Sequence, residues 1–252
     1  MNILATNDDG IRCDGIICLV EELRAQGHHV LAVAPDRDRS GSSHSITFDA
    51  SMPLVRVGED VYTYGGTPVD CVLAALVPGG LGYKPDIVVS GINAGPNLGT
   101  DILYSGTAAA ARQGSIYGIP SVAFSIDGRS PYRFAEAARW SVAHLAELMR
   151  YWRDGTFINV NYPNSDAYSG CVFAYPSVRI YQDSIKVEKN ADGIESYSLN
   201  DSGVAVQHGE KQPAGVSDWD AVQNNKVSVS IVYSYPKVAE MTEEGNYGGI
   251  VN

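Results

Sequence analysis

Apolar residues at the start of the chain fall into two short runs separated by an amphipathic stretch. The first run, residues 2–6, ends at Asn7-Asp8-Asp9-Gly10 and predicts a buried strand that stops in a polar turn. Apolar residues then recur at helical spacing from Ile16 to Leu23, and residues 29–34 form the second run. Strand, helix and strand in this order make a βαβ unit, so the two strands are expected to be parallel.

The alternation of helical and strand patterns continues through the first two thirds of the chain. It predicts helices over residues 67–76, 105–116 and 132–152, and strands over residues 86–90, 121–125 and 157–160. Regular alternation of this kind favours a Rossmann-like, doubly wound and mostly parallel sheet. The expected fold class is therefore α/β, with helices on both faces of the sheet in a three-layer αβα arrangement.

Beyond Gly170 the helical pattern gives way to period-two alternation. Apolar and polar residues alternate on both sides of a turn at residues 190–193, which predicts an antiparallel β arm. Few of its residues are large and apolar, so we expect the arm to pack on the core or on a second subunit. The remaining predictions are a strand over residues 227–233, a peripheral tail from Pro236, an α/β core over residues 1–165 and a β-rich extension over residues 166–252.

Composition and charge indicate which kinds of partner the protein can bind. Apolar residues make up 44% and charged residues 19% of the chain, as in ordinary globular proteins. The net charge of -11, with 18 basic against 29 acidic residues, argues against a nucleic acid polymer as partner. No apolar run suits a membrane span or a signal peptide, and the four cysteines are far apart, so we expect no membrane partner and a cytoplasmic location.

Polar, glycine-rich segments follow three of the predicted strands, at residues 7–10, 35–44 and 91–99. In open parallel sheets ligands bind outside the carboxyl ends of the strands, so these segments are the first candidates for a site. Asp8 and Asp9 offer two carboxylates, and Ser40 and Asn93 offer further oxygen atoms, which hard divalent cations prefer. The alternative is that Asp8 and Asp9 only shape a turn or cap a helix.

A second candidate element is the start of the helix at Ser105-Gly106-Thr107. Free backbone N–H groups at a helix start bind anions, and Gly106 would let a phosphate approach the backbone. The alternative is an ordinary N-cap. Among the histidines, His44 is the one within a candidate loop, where it is a candidate for substrate contact.

Several other kinds of site are absent from the sequence. The glycines at 91, 95 and 99 do not have dinucleotide-binding spacing, and no P-loop lysine motif or Gly-x-Ser-x-Gly elbow occurs. The Asp-x-Asp spacing of phosphatases with an aspartate nucleophile is also missing at the first turn, which disfavours a covalent aspartyl-phosphate.

Together these motifs resemble the SurE survival proteins, a family of 5'/3'-nucleotidases that hydrolyse nucleoside monophosphates. The matching stretches are residues 3–10, 34–37, 39–41, 45–47, 66–71, 90–99, 104–107 and 159–161. The resemblance implies that Asp8, Asp9, Ser40 and Asn93 are metal ligands and that Asn97, Ser105, Gly106 and Thr107 bind the phosphate. It also implies one Mg²⁺ or Mn²⁺ ion per subunit, a nucleoside monophosphate as substrate, and a homodimer or homotetramer with an exchanged C-terminal arm.

The function expected from the resemblance is metal-dependent hydrolysis of nucleoside 5'-monophosphates, and of 3'-monophosphates as a further class. Asp8 and Asp9 are the expected catalytic residues, and the sequence does not decide which of them orients or deprotonates the attacking water. One alternative is a nucleotide- and metal-binding sensor without turnover, and another is a phosphatase for other phosphomonoesters or polyphosphate. The chain departs from the family at residues 227–233, where a Val-Ser-x-Thr-Pro-Leu strand is usual.

Overall fold

The first apolar run forms strand β1 (Asn2–Thr6), which is buried from Ile3 onward within a ten-stranded sheet. The computed structural model describes residues 1–190, 192–207 and 214–237. The helices are α1 (Asp14–Ala25), α2 (Pro68–Leu76), α3 (Asp101–Tyr104), α4 (Gly106–Ile116), α5 (Phe134–Tyr151) and α6 (Asp218–Gln223). The remaining strands are β2 (His29–Pro35), β3 (Leu54–Gly58), β4 (Val61–Tyr64), β5 (Ile87–Ala94), β6 (Ser121–Asp127), β7 (Thr156–Pro163), β8 (Cys171–Tyr175), β9 (Val178–Lys189), β10 (Glu195–Gln207), β11 (Val216–Ser217) and β12 (Val227–Tyr233).

The strand order of the main sheet is β11-β8-β12-β7-β6-β5-β1-β2-β4-β3. The six strands from β7 to β4 are mutually parallel, and β3 and β12 run antiparallel to their neighbours β4 and β7. The chain moves from β1 to β2 on one side and later returns to β5 on the other. The predicted doubly wound, mostly parallel sheet is therefore confirmed, with its switch point beside β1.

Successive residues of β1 face opposite layers of the fold. Ile3 and Ala5 belong to an apolar cluster that includes residues of α1 and α5. Leu4 belongs to a second cluster that includes residues of α2 and α4. Because strand side chains alternate in direction, this division shows helices on both faces of the sheet, as the three-layer prediction requires. No helix among the described residues is both long enough and apolar enough to cross a membrane.

The structure differs from the sequence prediction in several features. The hairpin of β3 and β4 was not predicted, because its side chains are mostly half-buried or exposed and give little apolar signal. Strand β5 continues to Ala94 past a register shift between Ser90 and Asn93, so the segment predicted as a loop begins as strand. The region after Gly170 is also not wholly antiparallel, because β8 and β12 pair in parallel.

Strands β9 and β10 form the predicted antiparallel arm as a separate two-stranded ribbon. Ile185 pairs with Leu199 and Val187 pairs with Tyr197, so these four apolar side chains share one face. All four are more than half exposed. The predicted peripheral tail lies almost entirely outside the described residues, which end at Lys237.

Candidate functional site

The carboxyl ends of β1 and β5 border a polar cavity of about 200 Å³. We call it the Asp8 cavity. It lies at the switch point of the sheet, where the fold leaves a crevice between the diverging connections. Its walls are formed by Asp8, Ser40, Gly41, Asn93, Ala94, Pro96, Asn97, Asp101, Tyr104, Ser105 and Tyr181.

The turn after β1 is closed by hydrogen bonds of the Asn7 side chain. The Asn7 amide nitrogen donates to the Gly10 carbonyl at 3.0 Å, and the Gly10 N–H donates to the Asn7 side-chain oxygen at 3.1 Å. Gly10 has a φ of +110°, a region that residues with a Cβ rarely adopt. The closed turn holds Asp8 and Asp9 at the end of the strand. Each carboxylate then makes its own contacts with a neighbouring element.

Asp8 is almost fully buried and lies against the start of α4. The Thr107 hydroxyl donates a hydrogen bond to Asp8 Oδ1. A Cβ built on Gly106 would lie 2.8 Å from the Asp8 Cβ and 2.8 Å from the Ser42 Oγ, so only glycine allows this approach. Burial raises the pKa of Asp8 above its ordinary value, and the Thr107 hydrogen bond opposes that rise.

Asp9 is more exposed than Asp8 and faces β5. Its Oδ2 accepts a hydrogen bond from the Ala94 N–H at 3.2 Å. Burial, followed by the charge of Asp8, raises the pKa of Asp9 to about 6. The two adjacent carboxylates therefore resist simultaneous ionisation. A bound cation would relieve both the repulsion and the lost hydration.

Ser40 reaches the cavity from the connection after β2. Asp38 Oδ1 accepts hydrogen bonds from the Ser40 N–H at 2.7 Å and from the Ser40 hydroxyl at 2.6 Å. The hydroxyl therefore donates its proton to Asp38 and keeps its lone pairs available for a cation. The charge of Asp38 also contributes to the raised pKa values of Asp8 and Asp9.

Asn93 lies at the end of β5, after the register shift. Its side-chain nitrogen donates to the Gly95 carbonyl at 2.9 Å, which leaves its amide oxygen as the group available to a cation. Gly91, with a φ of +130°, has no room for a Cβ because the Phe124 carbonyl oxygen would lie only 2.2 Å away. The irregular strand end is what brings Asn93 to the cavity wall.

Asn97 is held in place by a buried network of polar side chains. Its N–H donates to Asn161 Oδ1 at 2.8 Å, and its side-chain nitrogen donates to the Ser125 hydroxyl at 2.7 Å. Its carbonyl accepts hydrogen bonds from Asn159 at 2.8 Å and Asn161 at 3.1 Å. The network anchors the segment after β5 to β6 and β7, so Asn97 has a fixed position on the wall.

Ser105 is the N-cap of α4, and its Oγ accepts a hydrogen bond from the Ala108 N–H at 2.9 Å. The Ser105 hydroxyl proton remains available to an anion in the cavity. Thr107 instead directs its hydroxyl to Asp8. The structure thus shows Ser105 as an N-cap that also lines the cavity, and phosphate binding at this helix start stays a prediction.

The structure brings the predicted residues to one place. Asp8, Ser40, Asn93, Asn97 and Ser105 form walls of the Asp8 cavity. Asp9, Gly106 and Thr107 contact wall residues without being among them. His44 lies elsewhere, with its Nε2 2.8 Å from the Gln113 side-chain oxygen, and borders a different cavity.

Sequence reasoning missed three polar residues of the site. Asp38 orients Ser40, and its place in the polar segment after β2 was a usable signal. Asp101 and Tyr181 line the cavity, and the Tyr181 hydroxyl donates to Asp101. Tyr181 belongs to β9, far along the chain, and no local pattern indicated that it would reach the first half of the fold.

The donors suit a hard divalent cation. Among the described residues no three Asp, Glu, His or Cys side chains converge as a metal-binding group. The available set is instead two carboxylates, a hydroxyl and an amide oxygen, the oxygen ligands that Mg²⁺ and Mn²⁺ accept together with water. Burial, together with the charge of Asp38 and, for Asp9, that of Asp8, raises the pKa of both carboxyl groups.

Comparison with known proteins identifies the family of the chain. The family model described as "Survival protein SurE" matches residues 3–183. A protein named 5'-nucleotidase SurE from Stenotrophomonas maltophilia is 39% identical over 236 residues, covering 91% of this chain and 88% of its own. A protein of the same name from Xylella fastidiosa is 37% identical over 242 residues, covering 92% and 90%. The solved SurE protein from Aquifex aeolicus is 35% identical with a TM-score of 0.77, covering 99% and 97%. The chain therefore belongs to the SurE survival protein family.

Proposed function

We propose that the protein is a 5'-nucleotidase that hydrolyses nucleoside monophosphates to nucleoside and phosphate in the Asp8 cavity. The observation that carries the proposal is the placement of Asp8 opposite the start of α4, with Ser105 on the same cavity wall. One side of the cavity suits a cation and the other suits a phosphate. Relatives that cover most of this chain bear the name 5'-nucleotidase SurE.

Family membership implies a divalent metal cation in general terms. The proposed ligands in this chain are Asp8, Asp9, Ser40 and Asn93, with one Mg²⁺ or Mn²⁺ ion per subunit. When bound, the ion would supply positive charge to the phosphoryl oxygens. Asp38 supports the set by holding the Ser40 hydroxyl proton away from the cation.

The phosphate is proposed to lie against Asn97, Ser105, Gly106 and Thr107. The Ser105 hydroxyl and the free N–H groups at the start of α4 would donate to its equatorial oxygens, where charge accumulates in phosphoryl transfer. Thr107 contributes indirectly, because its hydroxyl fixes Asp8. The buried network around Asn97 keeps this side of the cavity rigid.

Asp9 is the better placed of the two aspartates to orient the attacking water. Asp8 Oδ1 is engaged by Thr107, and Asp8 is only 3% exposed. Among the described residues, the Asp9 carboxylate accepts one hydrogen bond, at Oδ2 from the Ala94 N–H, which leaves Oδ1 for a water molecule that would attack the phosphorus in line. Asp8 is then chiefly a metal ligand.

The test is phosphate release from nucleoside 5'- and 3'-monophosphates, with and without Mg²⁺ or Mn²⁺, in the wild type and in Ser105→Ala. We expect metal-dependent turnover with a reduced kcat/KM in the variant. Nucleotide binding without any turnover would favour a sensor, and a clear preference for other phosphomonoesters or polyphosphate would favour a different phosphatase. Equal kcat/KM in Ser105→Ala would remove the phosphate role of this helix start.

We further propose a homodimer or homotetramer located in the cytoplasm. The exposed apolar face of the β9–β10 ribbon supports the assembly, because a two-stranded ribbon is rarely stable without a covering surface. The location is supported by the four cysteines, which are all free thiols.

A further inference from the structure

A second cavity, of about 470 Å³, lies against the outer part of α4. We call it the Arg112 cavity. It is lined by His44, Leu103, Arg112, Ile116, Tyr233, Ser234, Tyr235 and Pro236. None of these residues lines the Asp8 cavity.

Arg112 is a half-buried cation that forms no ion pair with the residues that the structure describes. Its guanidinium lies 5.2 Å from the centre of the Phe157 ring. Among the described residues, no carboxylate or carbonyl group forms a hydrogen bond or an ion pair with it. Burial alone lowers the pKa of Arg112, with no opposing rise from a nearby acid. Within the part of the chain that the structure describes, the guanidinium is therefore available to an anion, although the net charge of the protein is -11.

A second positive group flanks the same cavity. The Lys237 ammonium lies 3.4 Å from the centre of the Tyr233 ring, which is one of the cavity walls. His44 contributes a ring that is held through its Nε2 by Gln113. Burial and the charge of Arg112 both lower the pKa of His44, which agrees with its place beside the guanidinium.

The rest of the wall is apolar and aromatic. Leu103, Tyr233 and Tyr235 are each more than half exposed, so their surfaces are open to a ligand. The Tyr235 hydroxyl is 3.4 Å from the Ile116 carbonyl, which orients its ring. Exposed aromatic rings beside a free guanidinium suit a molecule that combines a flat ring with an anionic group.

The two cavities are lined in part by different residues of the same two segments, the connection after β2 and the region of α3 and α4. The segment from Ser40 to His44 runs from one cavity to the other, and the Ser43 hydroxyl donates to the Leu103 carbonyl at 2.7 Å. Along α4, Ser105 and Arg112 are separated by roughly 10 Å at the helical rise per residue. A ligand in the outer cavity would therefore contact the same segments that hold Ser40 and Ser105.

From this geometry we propose that the Arg112 cavity is a second binding site for a nucleotide, separate from the Asp8 cavity. The phosphate binds the Arg112 guanidinium, and the base lies against Tyr233 and Tyr235. The proposal concerns binding and does not depend on turnover at Asp8 and Asp9.

The experiment is a calorimetric titration with AMP in the presence of EDTA, which prevents turnover. The variants are Arg112→Gln, Arg112→Lys and, as a matched control on α5, Arg150→Gln. Arg150 is exposed on the opposite layer of the fold, so this control removes the same charge away from the cavity. Thermal melting verifies that each variant is folded.

We expect AMP affinity at one site to fall at least tenfold in Arg112→Gln, with an intermediate loss in Arg112→Lys and none in Arg150→Gln. Ser105→Ala should leave this affinity unchanged, which separates this proposal from the nucleotidase assignment. Equal AMP binding in Arg112→Gln and Arg150→Gln would overturn the second site. Displacement of AMP by inorganic phosphate at equal concentration would overturn the role of the tyrosines.

Discussion

At the scale of single residues, the site is defined by carboxylates that the fold makes costly to ionise. Asp8 and Asp9 are adjacent and partly or fully buried, and the charge of Asp38 acts on both. Such an arrangement lowers the stability of the metal-free protein and prepares the site for a cation. Replacing Asp8 or Asp9 by an uncharged residue should therefore lower activity and raise the stability of the metal-free protein.

The variant Asp9→Asn tests whether activity falls while stability rises. Turnover should fall at least roughly a hundredfold, because the variant loses a metal ligand and the group that orients water. The metal-free variant should be more stable than the wild type at pH 7.5, by about 1–3 kcal/mol. Phosphate release and thermal melting in EDTA measure the two effects.

The sign of the stability effect follows from the pKa of Asp9. It rises from 3.8 to about 6 on folding, so the folded state retains a proton that the unfolded state releases in this interval. The wild type loses stability as pH rises from about 4 to 6 and carries the full cost above 6. The stabilising effect of Asp9→Asn should thus disappear at pH 4, and its persistence there would contradict the explanation.

Asp38 is expected to act through Ser40. In Asp38→Ala the Ser40 hydroxyl loses its acceptor, and the concentration of Mg²⁺ or Mn²⁺ needed for half-maximal activity should rise about tenfold. Asp38→Asn keeps an oxygen acceptor and should cause a smaller change. A metal titration of activity compares the two variants, and an unchanged requirement in Asp38→Ala would show that Asp38 does not position Ser40.

At the scale of elements, two connections join the site to the rest of the fold. The start of α4 is joined to the turn after β1 through Thr107 and Asp8, with Gly106 allowing the close approach. The base of β9 is joined to α3 through a buried ion pair between Arg179 and Asp101. Neither contact is local in sequence.

Thr107→Val should cost about 1–3 kcal/mol of stability, because it removes a buried hydrogen bond while keeping the side-chain shape. It should also weaken metal binding, since Asp8 loses the partner that orients it. Thr107→Ser retains the hydroxyl and is the matched control. Denaturant unfolding and a metal titration provide the measurements, and identical behaviour of the two variants would exclude a role for the hydroxyl.

Arg179→Met should destabilise the protein by about 3–5 kcal/mol, because it leaves Asp101 as an unpaired buried charge. The double variant Asp101→Leu with Arg179→Met should recover much of that loss, since an apolar pair replaces the ion pair. Activity should fall in both variants, because Asp101 and Tyr181 line the Asp8 cavity. If the stability changes of Asp101→Leu and Arg179→Met sum to the change in the double variant, the two side chains are not coupled.

At the scale of the whole molecule, the β9–β10 ribbon presents an apolar face with no partner among the described residues of its own chain. Its members Ile185, Val187, Tyr197 and Leu199 are more than half exposed. If this face joins subunits, Leu199→Lys should reduce the oligomer measured by light scattering. Ser198→Lys places the same charge on the opposite face and should leave the assembly unchanged. An unaltered mass for Leu199→Lys would place the interface elsewhere.

The sequence by itself determined the α/β class and the strand–helix–strand unit that begins with β1. It also indicated Asp8, Asp9, Ser40, Asn93 and the start of α4, because these residues end apolar runs or open a helix and so carry local signals. The β3–β4 hairpin escaped prediction because its exposed strands bury little apolar surface.

Only the tertiary structure decided which distant residues meet. The Thr107 bond to Asp8 spans 99 positions, and the Tyr181 bond to Asp101 spans 80. His44 was a candidate for the first site by its place in the chain, yet it borders the Arg112 cavity. Local patterns report how a segment packs on average, whereas the direction of a side chain at the end of a strand depends on which elements the fold places beside it.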